Sequence, residues 1–422
     1  MEHAAAADSR ERSRRASASP LRERPEPVPR EVRSPAGCPL RVAMLASVFP
    51  PSIGGIQSHT LRLGQKLVSR GVEVHVVTRI QPGLSPFERM AGVRVHRVGL
   101  AAARGAAGSA AFIADALLAL SWLRKEVDVL HAHQLLSPAT IGLLAAPLTA
   151  LPLVVNPHAC GSIGDVGVLS GTRFGRLRLR TAVKRADAFV AVSRTIRDEL
   201  VAAGAAPESI RSITNGVDTD RFCPAAAGER RMVRRALGFD DGPLVVFAGR
   251  LAPEKGVDVL LDAWPHLVAR VPGARLCLIG SGGEEARLHQ QAHALRVEGS
   301  VMFTGGVTDV APYVRVADVA VLPSRSEGMP VALLEAMSCA LPVVATRVGG
   351  SAEVLDDGVT GRLVPAESPE ALAAGLSEAL LERAPAMRRA EAARAHVLAH
   401  HAMDAVADDF VSLYQALTGR SR

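Results

Sequence analysis

The stretch Ser324 to Ala345, S-R-S-E-G-M-P-V-A-L-L-E-A-M-S-C-A-L-P-V-V-A, reads as a polar loop, an apolar helix and a buried strand in direct succession. Ser324, Arg325 and Ser326 make the loop, and Gly328 and Pro330 lead into the helix, where proline suits a first turn whose N–H is not needed. Val331, Leu333, Leu334 and Met337 make the helix apolar on most sides, which predicts burial, and Val343 to Ala345 continues as a strand after Leu341-Pro342. Two carboxylates interrupt this pattern. Glu335 lies inside the apolar run, where a charge is costly unless paired or hydrogen-bonded. Glu327 stands eight positions earlier, at the expected helix start. Eight helical residues rise about 12 Å, so the pair could bracket an extended polar ligand. A capping Glu327 and a backbone-bonded Glu335 account for the same letters without a ligand.

Outward from this stretch, strand and helix alternate in two series. In the first, strands are predicted at Arg41 to Ser47, Val74 to Thr78, Val93 to Arg97, Val127 to His131, Leu153 to Asn156, Phe189 to Val192 and Ile210 to Ile213, with helices between them. Ser193 is placed to cap the helix that follows it. The segment Leu135 to Val155 is apolar enough to raise the question of a membrane span. Pro138, Pro147 and Pro152 argue instead for a buried helix followed by a strand. After P-A-A-A-G-E-R-R at 224–231, which reads as a linker entering a helix, strands recur near Leu244 to Ala248, Leu276 to Ile279, Val301 to Phe303, Val319 to Pro323, Val343 to Ala345 and Arg362 to Val364. Alternation of this kind makes the fold class α/β, with two doubly wound parallel sheets facing across a cleft. The expected domains are a disordered extension at 1–39, an N-terminal unit at 40–223 and a C-terminal unit at 224–402. A last helix, 403–422, is expected to pack back toward the N-terminal unit.

Composition narrows the functions. A chain of 422 residues, 48% of them hydrophobic, can build two substantial cores. The net charge of +7 admits an anionic partner such as a nucleotide phosphate or a membrane surface. No finger or aromatic-basic stacking motif appears, which argues against nucleic acid. The five cysteines are odd in number, scattered and without a C-x-x-C, as in a reducing compartment. Met1 to Arg33 has no apolar core segment, so no signal peptide is expected there.

In open parallel sheets ligands bind beyond the carboxyl ends of strands, and the chemically distinctive residues cluster at such ends. After the strand at 244–248 comes Gly249-Arg250-Leu251-Ala252-Pro253-Glu254-Lys255-Gly256, a glycine loop whose Arg250 and Lys255 suit a diphosphate. Gly280-Ser281-Gly282-Gly283 makes a second glycine turn and Gly54-Gly55 a third, in the other unit. Each alone is an ordinary strand-to-helix turn, and neither turn of the second unit carries the G-x-G-x-x-G of dinucleotide binding. His131 and His133 could be half a metal site, but no third ligand follows from spacing, so no metal is expected. His158 sits among glycines at a strand's carboxyl end, a better functional position than an apolar face. Arg173, Arg176 and Arg180 share one face of a helix, with Leu177 close by and no acid between Gly171 and Ala186. That face is either simply solvated or a dock for anionic lipid or a lipid-linked diphosphate.

Together these motifs resemble the retaining glycosyltransferase family 4, enzymes with two Rossmann-like domains in the GT-B arrangement. The resemblance runs from about residue 40 to 417 and rests on Gly54-Gly55, D-V-L-H-A-H at 128–133, N-G-V-D at 215–218, G-R-L-A-P-E-K-G at 249–256, E-G-M-P-V-A-L-L-E at 327–335 and V-G-G-S-A-E-V-L at 348–355. It implies that Arg250 and Lys255 bind the donor diphosphate, with Gly249, Gly280 and Gly282 in the adjoining turns and Gly54 and Gly55 approaching from the other domain. It implies that Glu327 contacts the sugar hydroxyls, with Gly328, Met329 and Pro330 alongside, and that Glu335 binds the ribose. His158 matches a histidine near the sugar, although the residue after it, often Asp or Gly in the family, is Ala159 here. Asn215 resembles an interdomain-loop asparagine, and equally suits a left-handed turn before Gly216.

The activity so implied is retaining, metal-independent hexosyl transfer from a nucleotide-diphosphate sugar, UDP favoured over GDP, with no separate cofactor. The acceptor would be a glycan or lipid-linked molecule of cell-envelope or exopolysaccharide synthesis. The setting would be cytoplasmic, at the inner face of a membrane reached through Arg173, Arg176 and Arg180. Rival readings are a sugar-nucleotide epimerase of the same architecture and a non-catalytic sugar-nucleotide-binding protein. The G-R-L-A-P-E-K-G segment argues against the first and the intact Arg250, Lys255, Glu327 and Glu335 against the second. A nicotinamide dehydrogenase lacks both its fingerprint glycines and its acidic ribose residue.

Overall fold

The computed structural model describes residues 39–102 and 105–419. The extension expected at 1–39 therefore lies, apart from Pro39, outside the described residues. The first sheet has eight strands in the order β3-β4-β2-β1-β5-β6-β7-β8. They are β1 Arg41–Ala46, β2 Glu73–Arg79, β3 Phe87–Met90, β4 Val93–Val98, β5 Val129–Ala132, β6 Leu153–Val155, β7 Ala188–Ala191 and β8 Ile210–Ser212. The second has six, ordered β11-β10-β9-β12-β13-β14. These are β9 Leu244–Ala248, β10 Arg275–Ile279, β11 Val301–Gly305, β12 Val319–Leu322, β13 Val343–Thr346 and β14 Arg362–Val364. Both sheets are parallel and doubly wound, as the alternation predicts, with one exception. β3 runs antiparallel to β4 through a two-residue turn whose Ala91 and Gly92 both have positive φ. No sequence pattern announces this edge strand, because Phe87–Met90 is nowhere fully buried and shows no apolar alternation.

The pleat of β1 explains why two helical layers are needed. Ala43 and Leu45 face a cluster with Phe112, Ala116 and Leu120 of the helix Gly105–Leu123, while Val42 and Met44 face Leu63 and Leu67 of the helix Gly55–Ser69. Gly105–Leu123 is long and apolar enough to cross a membrane by length and composition. Here it is the crossover from β4 to β5, with Trp122 and Leu118 exposed on its outer side. Leu135 to Val155 resolves into the helix Ser137–Thr149 and β6, but the helix is less buried than expected: Leu144 and Leu148 face outward.

The chain passes between the two sheets twice, side by side. Val217 N–H donates to the His401 carbonyl (2.8 Å) and Met403 N–H to the Val217 carbonyl (2.9 Å). Gly216 is required at this crossing, since a Cβ there would lie 2.8 Å from the Met403 Cα. Beyond the crossing, the helix Met403–Thr418 packs on Gly55–Ser69, with Lys66 bridging Asp404 (2.7 Å) and Arg70 bridging Asp408 (2.7 Å). Its Phe410 and Tyr414 are fully buried in the core of the first sheet.

Candidate active site

The carboxyl ends of β9, β10, β12 and β13 bring four loops together, and the ends of β5 and β6 oppose them. On the first side, Lys255 lies in the short turn Pro253–Lys255 that precedes the helix Val257–Arg270. Its ammonium bonds the Glu327 carboxylate at 2.7 Å, and the Ser324 hydroxyl donates to the same oxygen at 2.6 Å. Glu327 is buried, so this pairing compensates a charge that would otherwise be costly. Arg250, expected to work with Lys255, is placed differently: its side chain is 68% exposed and paired with Glu254. The loop thus holds one cation inside the site and one at its rim.

The helix of the opening stretch is Val331–Ser338, with Pro330 as its extended N-cap. This corrects the expectation that Glu327 stands at the helix start. Glu327 belongs to the preceding loop, because residues 328–330 do not adopt helical geometry, so the two carboxylates are not separated by two turns of one helix. The glycines of the turns also serve a tighter purpose than leaving backbone open. A Cβ at Gly280 would lie 1.8 Å from the Gly249 carbonyl oxygen and one at Gly282 would lie 2.1 Å from that of Leu251, so these glycines let the two loops pack on each other. Leu251 N–H donates to the Ser281 carbonyl (3.0 Å) and Glu284 N–H to that of Leu251 (3.1 Å). At Gly55, by contrast, the space a side chain would fill is open.

Glu335 is buried as expected, and it has a partner the sequence reading missed. Arg62, on the helix Gly55–Ser69, reaches across from the other sheet to its carboxylate at 3.4 Å and lies over the Phe222 ring, 5.0 Å from the centroid. Burial nevertheless pushes the Glu335 carboxyl up to about 7, with Arg62 and Arg221 pulling the other way. Arg221 itself pairs with Asp309 at 2.6 Å.

Other contacts hold the two sides in register. The Cys160 thiol donates to the Glu327 carbonyl (3.1 Å), and a Cβ at Gly328 would lie 2.4 Å from the His158 carbonyl oxygen. Met329 is buried, and its carbonyl accepts from the Asn215 side chain (3.2 Å). Asn215 is not among the residues of positive φ, which removes the left-handed-turn alternative: its amide spans the crossing instead. Glu353 caps the helix Arg194–Ala202 from the opposite sheet, accepting from Arg194 N–H (2.7 Å) and Thr195 N–H (3.1 Å). Ser193 caps that helix too, as predicted.

His158 is buried, and its Nε2 lies 3.3 Å from Nδ1 of His133. The His133 ring lies tilted against His131 (centroids 4.1 Å), whose Nδ1 meets the Tyr414 hydroxyl at 2.8 Å. His59 approaches His158 edge-on (5.7 Å). Burial depresses all four imidazoles: His59 to about 4, His131 to about 3, and His133 and His158 well below the ordinary value. They form a neutral row, and among the described residues no three His, Cys, Asp or Glu are arranged to hold a metal ion. The H-A-H at 131–133 was the available signal; that it meets His158 and His59 follows only from the fold. Arg173, Arg176 and Arg180 lie on the helix Arg173–Arg185, all exposed, with Phe174 (71%) and Leu177 (60%) exposed among them. The Arg176 guanidinium turns back to the Ser170 carbonyl at 2.8 Å.

The chain is similar to known proteins over most of its length. The family pattern of "Glycosyltransferase Family 4" matches residues 53–221 and that of "Glycosyl transferases group 1" matches 229–396. A D-inositol 3-phosphate glycosyltransferase 2 of Catenulispora acidiphila is 32% identical over 364 residues, covering 78% of this chain and 84% of that protein. A GDP-mannose-dependent alpha-(1-6)-phosphatidylinositol monomannoside mannosyltransferase of Mycolicibacterium smegmatis is 31% identical over 365 residues, covering 82% and 91%. Among solved structures, Anabaena Alr3699/HepE in complex with UDP and glucose superposes with a TM-score of 0.72 at 22% identity, covering 89% of this chain and 100% of that one. The sucrose-phosphate synthase of Thermosynechococcus elongatus does so with 0.78 at 22%, covering 90% and 100%. At these identities the superpositions establish the fold, which is the two-domain GT-B arrangement.

Proposed function

Because the chain belongs to glycosyltransferase family 4, and is a glycosyltransferase of the GT-B type, we propose that it moves a hexose from a nucleotide-diphosphate sugar with retention of anomeric configuration and without a metal. The observation that carries this reading is the Lys255–Glu327 pair, which sets a cation and a carboxylate side by side at the ends of β9 and β12 (2.7 Å). Lys255 would meet the donor's β-phosphate and Glu327 the sugar hydroxyls. The C1–oxygen bond to phosphate breaks as C1 bonds to the acceptor oxygen on the same face, and the acceptor's proton passes to the departing phosphate oxygen. Charge then grows on that phosphate, where Lys255 and an Arg250 swung away from Glu254 stabilise it. Gly249, Gly280 and Gly282 shape the adjoining turns, with Gly54 and Gly55 closing from the first domain. Glu335 takes the ribose hydroxyls.

The donor base is proposed as uracil, with guanine as the competitor, given the GDP-mannose dependence named for the mycolicibacterial relative. A hydrolysis and transfer screen over UDP-, GDP- and ADP-sugars is expected to single out one base and to proceed in EDTA. Loss of turnover in EDTA, restored by Mg²⁺ or Mn²⁺, would remove metal independence.

The acceptor is proposed to be a glycan or lipid-linked molecule of the cell envelope or an exopolysaccharide, met in the cytoplasm at the inner membrane face. The exposed Phe174 and Leu177 among Arg173, Arg176 and Arg180 favour docking to anionic lipid. Each such charge contributes about 1 kcal/mol, so replacing the three arginines with Gln should weaken vesicle binding by roughly two decades at low salt. Unaltered co-sedimentation with phosphatidylglycerol vesicles would return this face to plain solvation.

A further inference from the structure

The four buried imidazoles raise a question that their depressed basicity leaves open. If none is charged at working pH, what varies is which ring nitrogen carries the proton, and that is decided by hydrogen bonds. The His133–His158 contact is an edge contact: the rings are 6° from parallel, their centroids are 5.6 Å apart, and the nitrogens approach to 3.3 Å. Two neutral imidazoles can share such a contact in only two ways. Either His158 Nε2–H donates to His133 Nδ1, or His133 Nδ1–H donates to His158 Nε2.

The far side of His133 discriminates between them. Its Nε2 is buried and has no hydrogen-bond partner among the described residues. In the first arrangement the remaining His133 proton sits on that Nε2, leaving a buried N–H with nothing to donate to. In the second, Nε2 carries only a lone pair. A buried donor without an acceptor is the rarer and costlier defect. The second arrangement therefore prevails, and it fixes His158 with its own proton on Nδ1.

We propose that His133 is a positioning residue for the transfer reaction: its Nδ1–H holds the His158 ring and sets the tautomer in which His158 presents an N–H donor to an oxygen of the transferred sugar. This rests on reading His158 as a group at the sugar. His133 touches no ligand and acts through His158. His131 backs the His133 ring and is anchored by Tyr414 (2.8 Å), so the alignment of His158 is referred back to the last helix of the chain.

The experiment uses the full chain with isotope-labelled histidine, whose ring nitrogens report by NMR whether each bears a proton. The parent is expected to show His158 protonated at Nδ1 and bare at Nε2; a bare Nδ1 overturns the proposal whatever the kinetics. His133→Phe keeps an aromatic ring but no donor. It is expected to lower kcat by roughly tenfold to a hundredfold, the range found for outer partners that orient metal-bound histidines, and to leave donor KM nearly unchanged. His133→Asn restores a donor close to the Nδ1 position and is expected to recover most of the rate and the parent tautomer. A Phe variant that transfers at the parent rate, or an Asn variant no better than Phe with its fold intact by circular dichroism, overturns the positioning role. His158→Ala separates the two layers: parent-rate transfer there removes the sugar contact, while the NMR result on the parent still decides whether His133 sets the tautomer.

Discussion

The two walls of the cleft are built from opposite chemistry. The wall from the second sheet is a mesh of full charges, with Lys255 on Glu327, Arg250 on Glu254, and Arg325 bridging Asp258 and Glu367. The wall from the first sheet is a row of buried, neutral imidazoles, His59, His131, His133 and His158. From the first sheet's helices, Arg62 reaches into the second wall at Glu335. The contrast assigns labour. A wall rich in fixed charge can meet charge that develops during reaction, whereas a neutral wall can aim hydrogen bonds without opposing an incoming diphosphate.

The sharpest way to break this division is at Lys255. Lys255→Ala removes the inner cation and strands a buried Glu327, so a loss on the order of 3 kcal/mol, roughly a hundredfold in kcat, is expected. Arg250→Ala should fall in the same range, and without a change in melting temperature, since that side chain is mostly exposed. Steady-state transfer assays decide it, and parent-like turnover in both variants would mean that the charged wall does not face the leaving group.

A smaller effect tests the ribose role proposed for Glu335. Glu335→Gln should raise the donor KM by roughly tenfold, the value of one charged hydrogen-bonding partner. Because the Glu335 carboxyl titrates near 7 against an ordinary 4.5, its ionised form disappears as pH falls from about 8 to about 6, and donor affinity should weaken over that window. Stability moves the other way, because burial raises this pKa. Its contribution is fully present below about 4.5 and is lost as pH rises through about 7. Calorimetric donor titration at several pH values should show the dependence in the parent and none in Glu335→Gln.

Smallest of all, Arg62→Gln removes a guanidinium that opposes the effect of burial. The midpoint of that pH dependence should move upward, by less than about one unit. A midpoint that stays put would mean that the Arg62 contact has no hold on Glu335 in solution.

Much of this was legible beforehand, for reasons that differ by residue. The central parallel strands could be read because they are buried on both faces and spelled largely in Val, Leu and Ala, as at Val42 to Leu45 and Val343 to Ala345. Glu335 stood out because a charge inside an apolar run demands a cause. β3 was illegible since an exposed edge strand carries no burial pattern. The partners Arg62 and Glu353 were illegible for another reason: each is an ordinary surface-type residue on its own helix, and only the approach of the other domain gives it a role. The histidine row lay between these cases. His131 and His133 are conspicuous in the sequence, where spacing supplies no third metal ligand and so no metal is expected, but nothing local tells that His59 and His158 arrive beside them.

The last helix carries a consequence for the order in which the molecule can be made. Phe410 and Tyr414 complete the core beneath the first sheet, which is assembled from residues 41–212. A ribosome that has finished β8 has thus released every strand of that sheet while one of its walls is still to be translated, some two hundred codons on. The second domain, contiguous from Leu244 to Val364 in its strands, has no such wait. Domains usually mature from the amino end forward during synthesis. In this chain the half that emerges first waits for a helix made after the second domain, and its histidine row is aligned only when Met403–Thr418 docks.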